Sequence, residues 1–165
     1  MNRLQLLQLN QHKTAIIVHY FDLTPTIMNI SRITELILIA IFSLLIIFHI
    51  LIITSVIPYD IVWGSRLSSV NEMIVFEAVS LGLNVVFLGV ILMHSQIIKP
   101  ILPNKVIKGL LWAMMALFIL NTLGNLTSDN AFEKIVFTPV TILLSLSLFL
   151  VAKSKKSELT PNKAN

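Results

Sequence analysis

The chain has no cysteine among its 165 residues and few charged side chains, which make up 12% of the total. Disulfide bonds, thiolate catalysis and Cys-ligated zinc or iron–sulfur centres are therefore excluded. The HExxH zinc pattern, the GxSxG nucleophile motif and an acidic metal cluster are also missing. The sequence accordingly predicts no catalytic residue, metal or cofactor, and an enzyme is not the first expectation.

Long hydrophobic runs are what the chain does contain. Hydrophobic residues make up 56% of it, and they concentrate in a few blocks. Residues 36–57 and 73–93 are each long enough at 1.5 Å per residue to cross a hydrocarbon core of about 30 Å. Residues 109–126 and 135–152 are shorter, but charges bracket both and neither contains one. The sequence predicts four membrane spans.

Short connections between these spans favour an all-α, antiparallel, up-down four-helix bundle covering residues 33–152. Pro100 and Pro103 disfavour one continuous helix from the second span into the third. The second span also carries small residues on one face, at Ala78, Gly82 and Gly89. Small residues at that spacing permit close helix approach, so this helix is expected to pack on both sides.

The net charge is +4, and the basic residues lie unevenly along the chain. Short cytoplasmic loops retain Lys and Arg during insertion, which predicts a multi-pass protein of the cell membrane with both termini cytoplasmic. Anionic membrane lipid explains this basic surface, and nucleic acid is not expected as a partner. The basic residues on the predicted cytoplasmic side are Arg3, Lys13, Arg32, Lys99, Lys105, Lys108, Lys153, Lys155, Lys156 and Lys163.

The two ends of the chain differ from its middle. Residues 1–32 form a predicted cytoplasmic segment that mixes Gln, Asn and aliphatic residues and is at best a weak helix candidate. Met28 stands shortly before a basic residue and a span, which suggests that translation begins there and that the preceding residues are an extension. A short interfacial helix is the alternative. Residues 153–165 are basic and polar and are predicted to be disordered.

Glu77 lies inside the second hydrophobic run. An ionisable side chain in hydrocarbon costs ~2.5–3.5 kcal/mol on insertion scales, so such a residue marks a functional site by default. Ser80 and Asn84 follow at spacings of three and four, which places all three side chains on one helix face. This face is the strongest functional signal in the sequence.

Polar residues of the other spans fall at a similar depth, in the half of the membrane predicted to face outward. They are His49 in the first span, Asn121 in the third and Thr141 in the fourth. A pair of Glu77 and His49 would combine a proton acceptor with a proton donor. The remaining hydroxyls and Asn125 are expected to hold helices together, as Ser, Thr and Asn commonly do in membranes.

The loop at residues 58–71 contributes further candidates. Trp63 stands at the height of an aromatic belt, so anchoring at the interface is one interpretation and a lid over the polar pocket is the other. Arg66 would receive an anionic head group. The predicted ligand-binding set is Glu77, His49, Asn84, Asn121, Ser80, Thr141, Arg66 and Trp63.

Several stretches of the chain resemble small four-span membrane proteins of bacteria. They read IPYDIVWGSRL at 57–67, NEMIVFEAVSLGLN at 71–84, and LFILNTLGN, FEK and FTPVT between 117 and 141. The resemblance covers roughly residues 36–152. It implies four-span topology, and it implies no activity.

The leading expectation is a binding module whose pocket accepts a small hydrophobic or lipid-like ligand, as a carrier, sensor or accessory subunit. One alternative is a membrane-embedded enzyme using Glu77 and His49 in acid–base chemistry. Another is a structural subunit that meets a second copy or a partner membrane protein through Gly82 and Gly89. A transporter or channel would need oligomerisation to enclose a wide path.

Overall fold

A computed structural model describes residues 3–59, 63, 67 and 69–154, with side chains described at 12, 13, 30–59, 63, 67 and 69–154. This part of the chain is all-helical and contains no strand. The elements are α1 (Arg3–Ile53), α2 (Val70–His94), α3 (Asn104–Thr127), a π-helical turn (Glu133–Phe137) and α4 (Thr138–Lys153).

In the part of the chain that the structure describes, four helical segments are long and apolar enough to cross a membrane, which confirms the predicted number: Ile30–Ile53, Val70–His94, Asn104–Thr127 and Glu133–Lys153. These segments suggest a multi-pass membrane protein. The first helix ends at Ile53 instead of Ile57, and the chain turns at Ser55, whose φ is 58°. His49 therefore lies about 6 Å from the end of its helix, half the depth expected from the sequence.

Residues before the first span, which the sequence marked as a weak helix candidate, have a helical backbone. Helix α1 starts at Arg3 and continues through Met28 to Ile53 without a break. The segment is therefore continuous with the first span and is not a separate short helix. The position at which translation begins stays a prediction, and the basic tail after Ser154 lies outside the described residues.

Local sequence accounts for the helix ends. Ser69 caps α2, because its side chain accepts a hydrogen bond from the backbone N–H of Glu72 at 3.3 Å, the first half of a capping box. Helix α2 ends at His94, and α3 starts directly after Pro103. The break that Pro100 and Pro103 predicted is thus present.

Helix α1 packs mainly against α2 and helix α3 mainly against α4, while α2 and α3 touch least among neighbouring helices. The main apolar core lies toward the α2–α3 connection. A smaller cluster around Ile52 and Met73 lies near the other end. Fully buried members of the main core include Leu38, Phe42, Ile91, Leu111, Leu144, Leu148 and Val151.

Among the described residues, none packs closely against the small-residue face of α2. A Cβ added at Gly82 or Gly89 would meet nothing within 4 Å, and Ala78 is exposed. The expectation that α2 packs on both sides is therefore wrong for the described part of this chain. Contact of this face with another molecule stays a prediction.

Candidate ligand site

A cavity of about 210 Å³ lies between the two apolar clusters and is lined by all four spans and by Trp63. Seven of the eight residues predicted from the sequence line it, and the structure therefore brings them together. Their role in binding remains a prediction. Arg66 lies outside the described residues. The polar lining residues are His49, Trp63, Glu77, Ser80, Asn84, Asn121, Asn125, Glu133 and Thr141.

Glu77 is the centre of this polar set and is only 1% exposed. Its Oε2 shares a hydrogen bond of 2.5 Å with Nδ1 of His49. Its Oε1 accepts a hydrogen bond of 2.7 Å from the indole N–H of Trp63. Each carboxylate oxygen therefore has a partner, one from α1 and one from the loop, which is how a buried carboxyl group is made tolerable.

Aromatic packing holds both partners in place. The ring of Phe48 packs edge-on against His49 and, at 5.4 Å between centroids, against Phe137. Trp63 lies 5.0 Å from the ring of Phe76 and has a φ of 59°. A left-handed conformation is unusual for a large side chain, and such strain concentrates at functional sites.

Asn84 lies deeper in the cavity and is 8% exposed. Its Nδ2 donates to the backbone carbonyl of Ser80 at 2.8 Å. Its Oδ1 is buried and has no hydrogen-bond partner among the described residues. An unpaired buried acceptor costs free energy, so a donor from water or a ligand would be stabilised there.

Thr141 has a structural role as well as a place in the lining. Its hydroxyl oxygen accepts from Thr122 at 2.9 Å and from Asn125 at 3.4 Å, which ties α3 to α4. Asn121 lies on α3, one turn before Asn125, and is exposed at the rim of the cavity. Asn125 therefore both lines the cavity and joins helices, and Thr122 is a helix-joining residue that the sequence did not single out.

The fourth span differs from the sequence expectation in one respect. The spacing of 3.6 residues per turn predicts Ser145 on the same helix face as Thr141, with Ser147 pointing away. In the structure the Ser145 hydroxyl bonds the carbonyl of Ile142 and does not line the cavity, while Ser147 is buried. The polar face therefore ends at Thr141, and the cavity floor is apolar, formed by Phe87, Phe118 and Leu144.

Glu133 is a second carboxyl group of the cavity, and the sequence reasoning missed it because it fell in a predicted loop. It is 8% exposed and begins the π-helical turn. There Thr138 N–H donates to the Glu133 carbonyl five residues earlier. A proline at 139 in a regular helix would clash with the carbonyl of Ile135, and the wider turn avoids that contact. In the sequence, Pro139 was the residue that could have indicated an irregular turn at this position.

A second Glu–His pair, also missed, joins α1 to α2 at the other end of these helices. Glu35 Oε1 and His94 Nδ1 lie 2.9 Å apart. Arg32 donates to Glu35 at 3.4 Å and to the Ser95 carbonyl at 2.9 Å. The sequence contained a sign of this pairing, because each of the first two helical spans has a Glu near its start and a His near its end. In an antiparallel hairpin, each Glu then lies at the level of the other helix's His.

The chemistry available in the cavity is proton exchange and hydrogen bonding. Glu77 and His49 can accept and donate a proton, and the amides of Asn84 and Asn121 can orient a polar group. Among the described residues no group of three or more His, Asp and Glu side chains is placed to hold a metal ion.

The fold and the cavity define a class of protein: a small chain whose described part is all-helical, with four helices long and apolar enough to cross a membrane and a buried carboxyl–imidazole pair at an internal cavity. No protein-family model, curated protein or solved structure matches the chain. Function must therefore be inferred from the geometry of this cavity.

Proposed function

We propose that this chain is a multi-pass protein of the cell membrane that binds a small or lipid-like ligand in the cavity around Glu77. The four spans form an up-down-up-down antiparallel bundle with both termini cytoplasmic, so the cavity lies in the outer half of the membrane. In this role the protein is a carrier, a sensor or an accessory subunit of a larger assembly.

One observation carries the proposal: a buried, hydrogen-bonded carboxyl group faces a cavity that also contains an unpaired buried acceptor. Glu77 lines the cavity with both carboxylate oxygens bonded, and Asn84, two turns further along the same helix face, lines it with an Oδ1 that has no partner among the described residues. Burying a carboxyl group in hydrocarbon is costly, and residues kept at this cost mark ligand or ion sites.

Native mass spectrometry of the protein released from lipid nanodiscs tests the proposal. The variant Glu77→Gln keeps the shape of the side chain, since Gln can accept from Trp63 and donate to His49. We expect the wild-type protein to retain a small copurified molecule and Glu77→Gln to lose it, with the folded yield largely unchanged.

Glu72→Gln is the matched control. Glu72 lies on the same helix, is exposed and does not line the cavity, and Gln also satisfies a capping box. This variant should retain the molecule. Full retention by Glu77→Gln, or a failure of that variant to fold, would contradict the proposal.

The 2.5 Å hydrogen bond between His49 and Glu77 also favours a second candidate function. A membrane-embedded enzyme would use this pair as general acid and base on a lipid or isoprenoid. In that case, a pH–rate profile measured with a substrate should lose one limb in His49→Gln and the other in Glu77→Gln. A profile unchanged by both variants would rule this function out.

A further inference from the structure

Among the described residues, the exposed lining of the cavity lies between α2 and α3. Four of its lining residues are exposed: Trp63 in the loop, Leu83 on α2, and Leu117 and Asn121 on α3. Every lining residue of α1 and of 133–144 is buried or half-buried. The opening therefore coincides with the seam where two neighbouring helices touch least.

This opening lies at the depth of the lipid chains. Leu83 is about 20 Å along α2 from Val70, near the middle of that helix. Leu117 is about 15 Å from the end of α3 at Thr127. A hydrocarbon core is about 30 Å thick, so the gap between these two leucines faces acyl chains and not water.

The size of the cavity limits what it can enclose. A volume of about 210 Å³ corresponds to roughly seven water-sized groups. A head group with a short stretch of chain fits into this space, whereas a chain of a dozen carbons does not. A long-chain ligand must therefore leave its tail in the seam between Leu83 and Leu117.

The polar end of the cavity selects the head group. Asn84 Oδ1 is an unpaired acceptor that is more than nine-tenths buried, and only a donor satisfies it. Glu77 lies two turns away on the same face of α2, and Glu133 lines the cavity from the other side, at the start of the π-helical turn. Two carboxyl groups disfavour a carboxylate ligand, while a hydroxyl or amine head group provides the donor.

We propose that the cavity takes, through the α2–α3 seam, a single-chain amphiphile whose head group donates a hydrogen bond to Asn84 while its tail stays in the bilayer. The inference rests on the proposed binding function and specifies its ligand class and route of entry. Alcohols and amines both carry a hydrogen-bond donor in the head group. Within each class, varying the chain length at a constant head group distinguishes binding of the head group from placement of the tail.

Trp63 provides a fluorescent reporter inside the site. The chain has two tryptophans, and Trp112 is exposed on α3 outside the cavity. The variant W112F in phosphatidylcholine nanodiscs therefore isolates the signal of Trp63. Titration with butan-1-ol, octan-1-ol, dodecan-1-ol and hexadecan-1-ol, with concentrations expressed as bilayer mole fraction, measures the effect of chain length.

We expect octan-1-ol, dodecan-1-ol and hexadecan-1-ol to bind within about twofold of one another, because the extra carbons stay in lipid before and after binding. Dodecylamine should also bind. The methyl ether 1-methoxydecane, which has no donor, should bind roughly tenfold more weakly than dodecan-1-ol. Equal binding of ether and alcohol would overturn the assignment of the head group.

A pair of substitutions tests the seam. L83F/L117F narrows the opening and should weaken dodecan-1-ol binding roughly tenfold more than butan-1-ol binding, because only the longer chain has to pass through the seam. V85F/L120F is the matched control, since both residues are exposed on the same helices and neither lines the cavity. The control should bind dodecan-1-ol normally.

The outcomes separate this inference from the proposed function. Binding of butan-1-ol that is lost at longer chain lengths and unaffected by L83F/L117F would leave a ligand cavity but overturn the lateral opening. Absence of binding by every alcohol and amine overturns this ligand class. If the wild-type protein also carries no copurified molecule, the binding function itself is contradicted.

Discussion

Glu77 illustrates how a buried carboxyl group is accommodated by residues that are distant in sequence. Its partners lie 28 positions before it, at His49, and 14 positions before it, at Trp63. Neither contact is local to α2, so the carboxyl group can be placed only when α1 and the loop are packed against that helix. The site is consequently a product of the whole α1–α2 hairpin.

The hydrogen bond from Trp63 to Glu77 should contribute measurably to stability. Trp63→Phe retains an aromatic ring beside Phe76 but removes the donor, and we expect it to lower the free energy of unfolding by about 1 kcal/mol. In a Glu77→Ala background Trp63 has no acceptor to lose, so the same change should cost clearly less there. Unfolding in mixed micelles, followed by circular dichroism, measures both. Equal costs in the two backgrounds would show that Trp63 stabilises the protein by packing alone.

At the scale of elements, α1 and α2 are joined by two reciprocal Glu–His pairs. Glu35 near the start of the first span meets His94 at the end of α2, and Glu77 near the start of α2 meets His49 near the end of α1. A shift of one helix past the other by one turn would break both pairs at once. The pairs therefore specify the register of this hairpin, as buried polar groups do in other helical assemblies.

A double-mutant cycle on Glu35 and His94 tests this role away from the cavity. Glu35→Ala and His94→Ala should each destabilise the protein, and the double variant should be less destabilised than the sum, with a coupling free energy of about 0.6–1.7 kcal/mol. A cycle between Glu35 and exposed Lys105 on α3 is the control and should be additive. Additivity of the Glu35 and His94 changes would contradict a direct contribution of the pair.

The π-helical turn is the second element that shapes the site. In Pro139→Ala the new backbone N–H can bond the Ile135 carbonyl, so we expect a regular α-helix that rotates Glu133 by about 100° away from the cavity. Binding of dodecan-1-ol should weaken roughly tenfold, with an unfolding free energy that is unchanged or higher.

Hydrogen exchange checks the same change directly, because the backbone N–H that Pro139→Ala introduces should be protected if it bonds the Ile135 carbonyl. Pro100→Ala is the control, since Pro100 lies in the α2–α3 connection and not at the cavity. It should leave binding unchanged. Normal ligand binding by Pro139→Ala, together with a protected amide, would mean that the π-helical turn does not position Glu133 for the ligand.

For the whole molecule, the proposed orientation can be tested because the chain has no cysteine. A single cysteine at Asn71 should react with a membrane-impermeant maleimide in intact cells, whereas one at Lys105 should react only after permeabilisation. Both positions are exposed, Asn71 at the start of α2 and Lys105 at the start of α3, and the proposed topology places these two helix starts on opposite sides of the membrane. The reverse labelling pattern would place both termini outside and the cavity in the inner half of the membrane.

Much of the architecture was predictable because hydrophobic length is a local property. The four spans follow from runs of apolar residues, and the break after α2 follows from Pro100 and Pro103. Helix ends were less predictable, since apolar Val56 and Ile57 follow the turn at Thr54 and Ser55, so the hydrophobic run continues beyond the end of the helix at Ile53. The N-terminal part of α1 was missed because its composition has no apolar stripe.

The sequence by itself determined the number of spans, the polar face of Glu77, Ser80 and Asn84, and the absence of thiol chemistry, because composition and 3.6-residue periodicity do not depend on other helices. Only the tertiary structure decided that His49 and Trp63 meet Glu77, that Glu133 enters the cavity, and that Ser145 does not. The physical reason is rotation: a residue turns by about 100° relative to the one before it, so packing between helices selects which polar groups share a space.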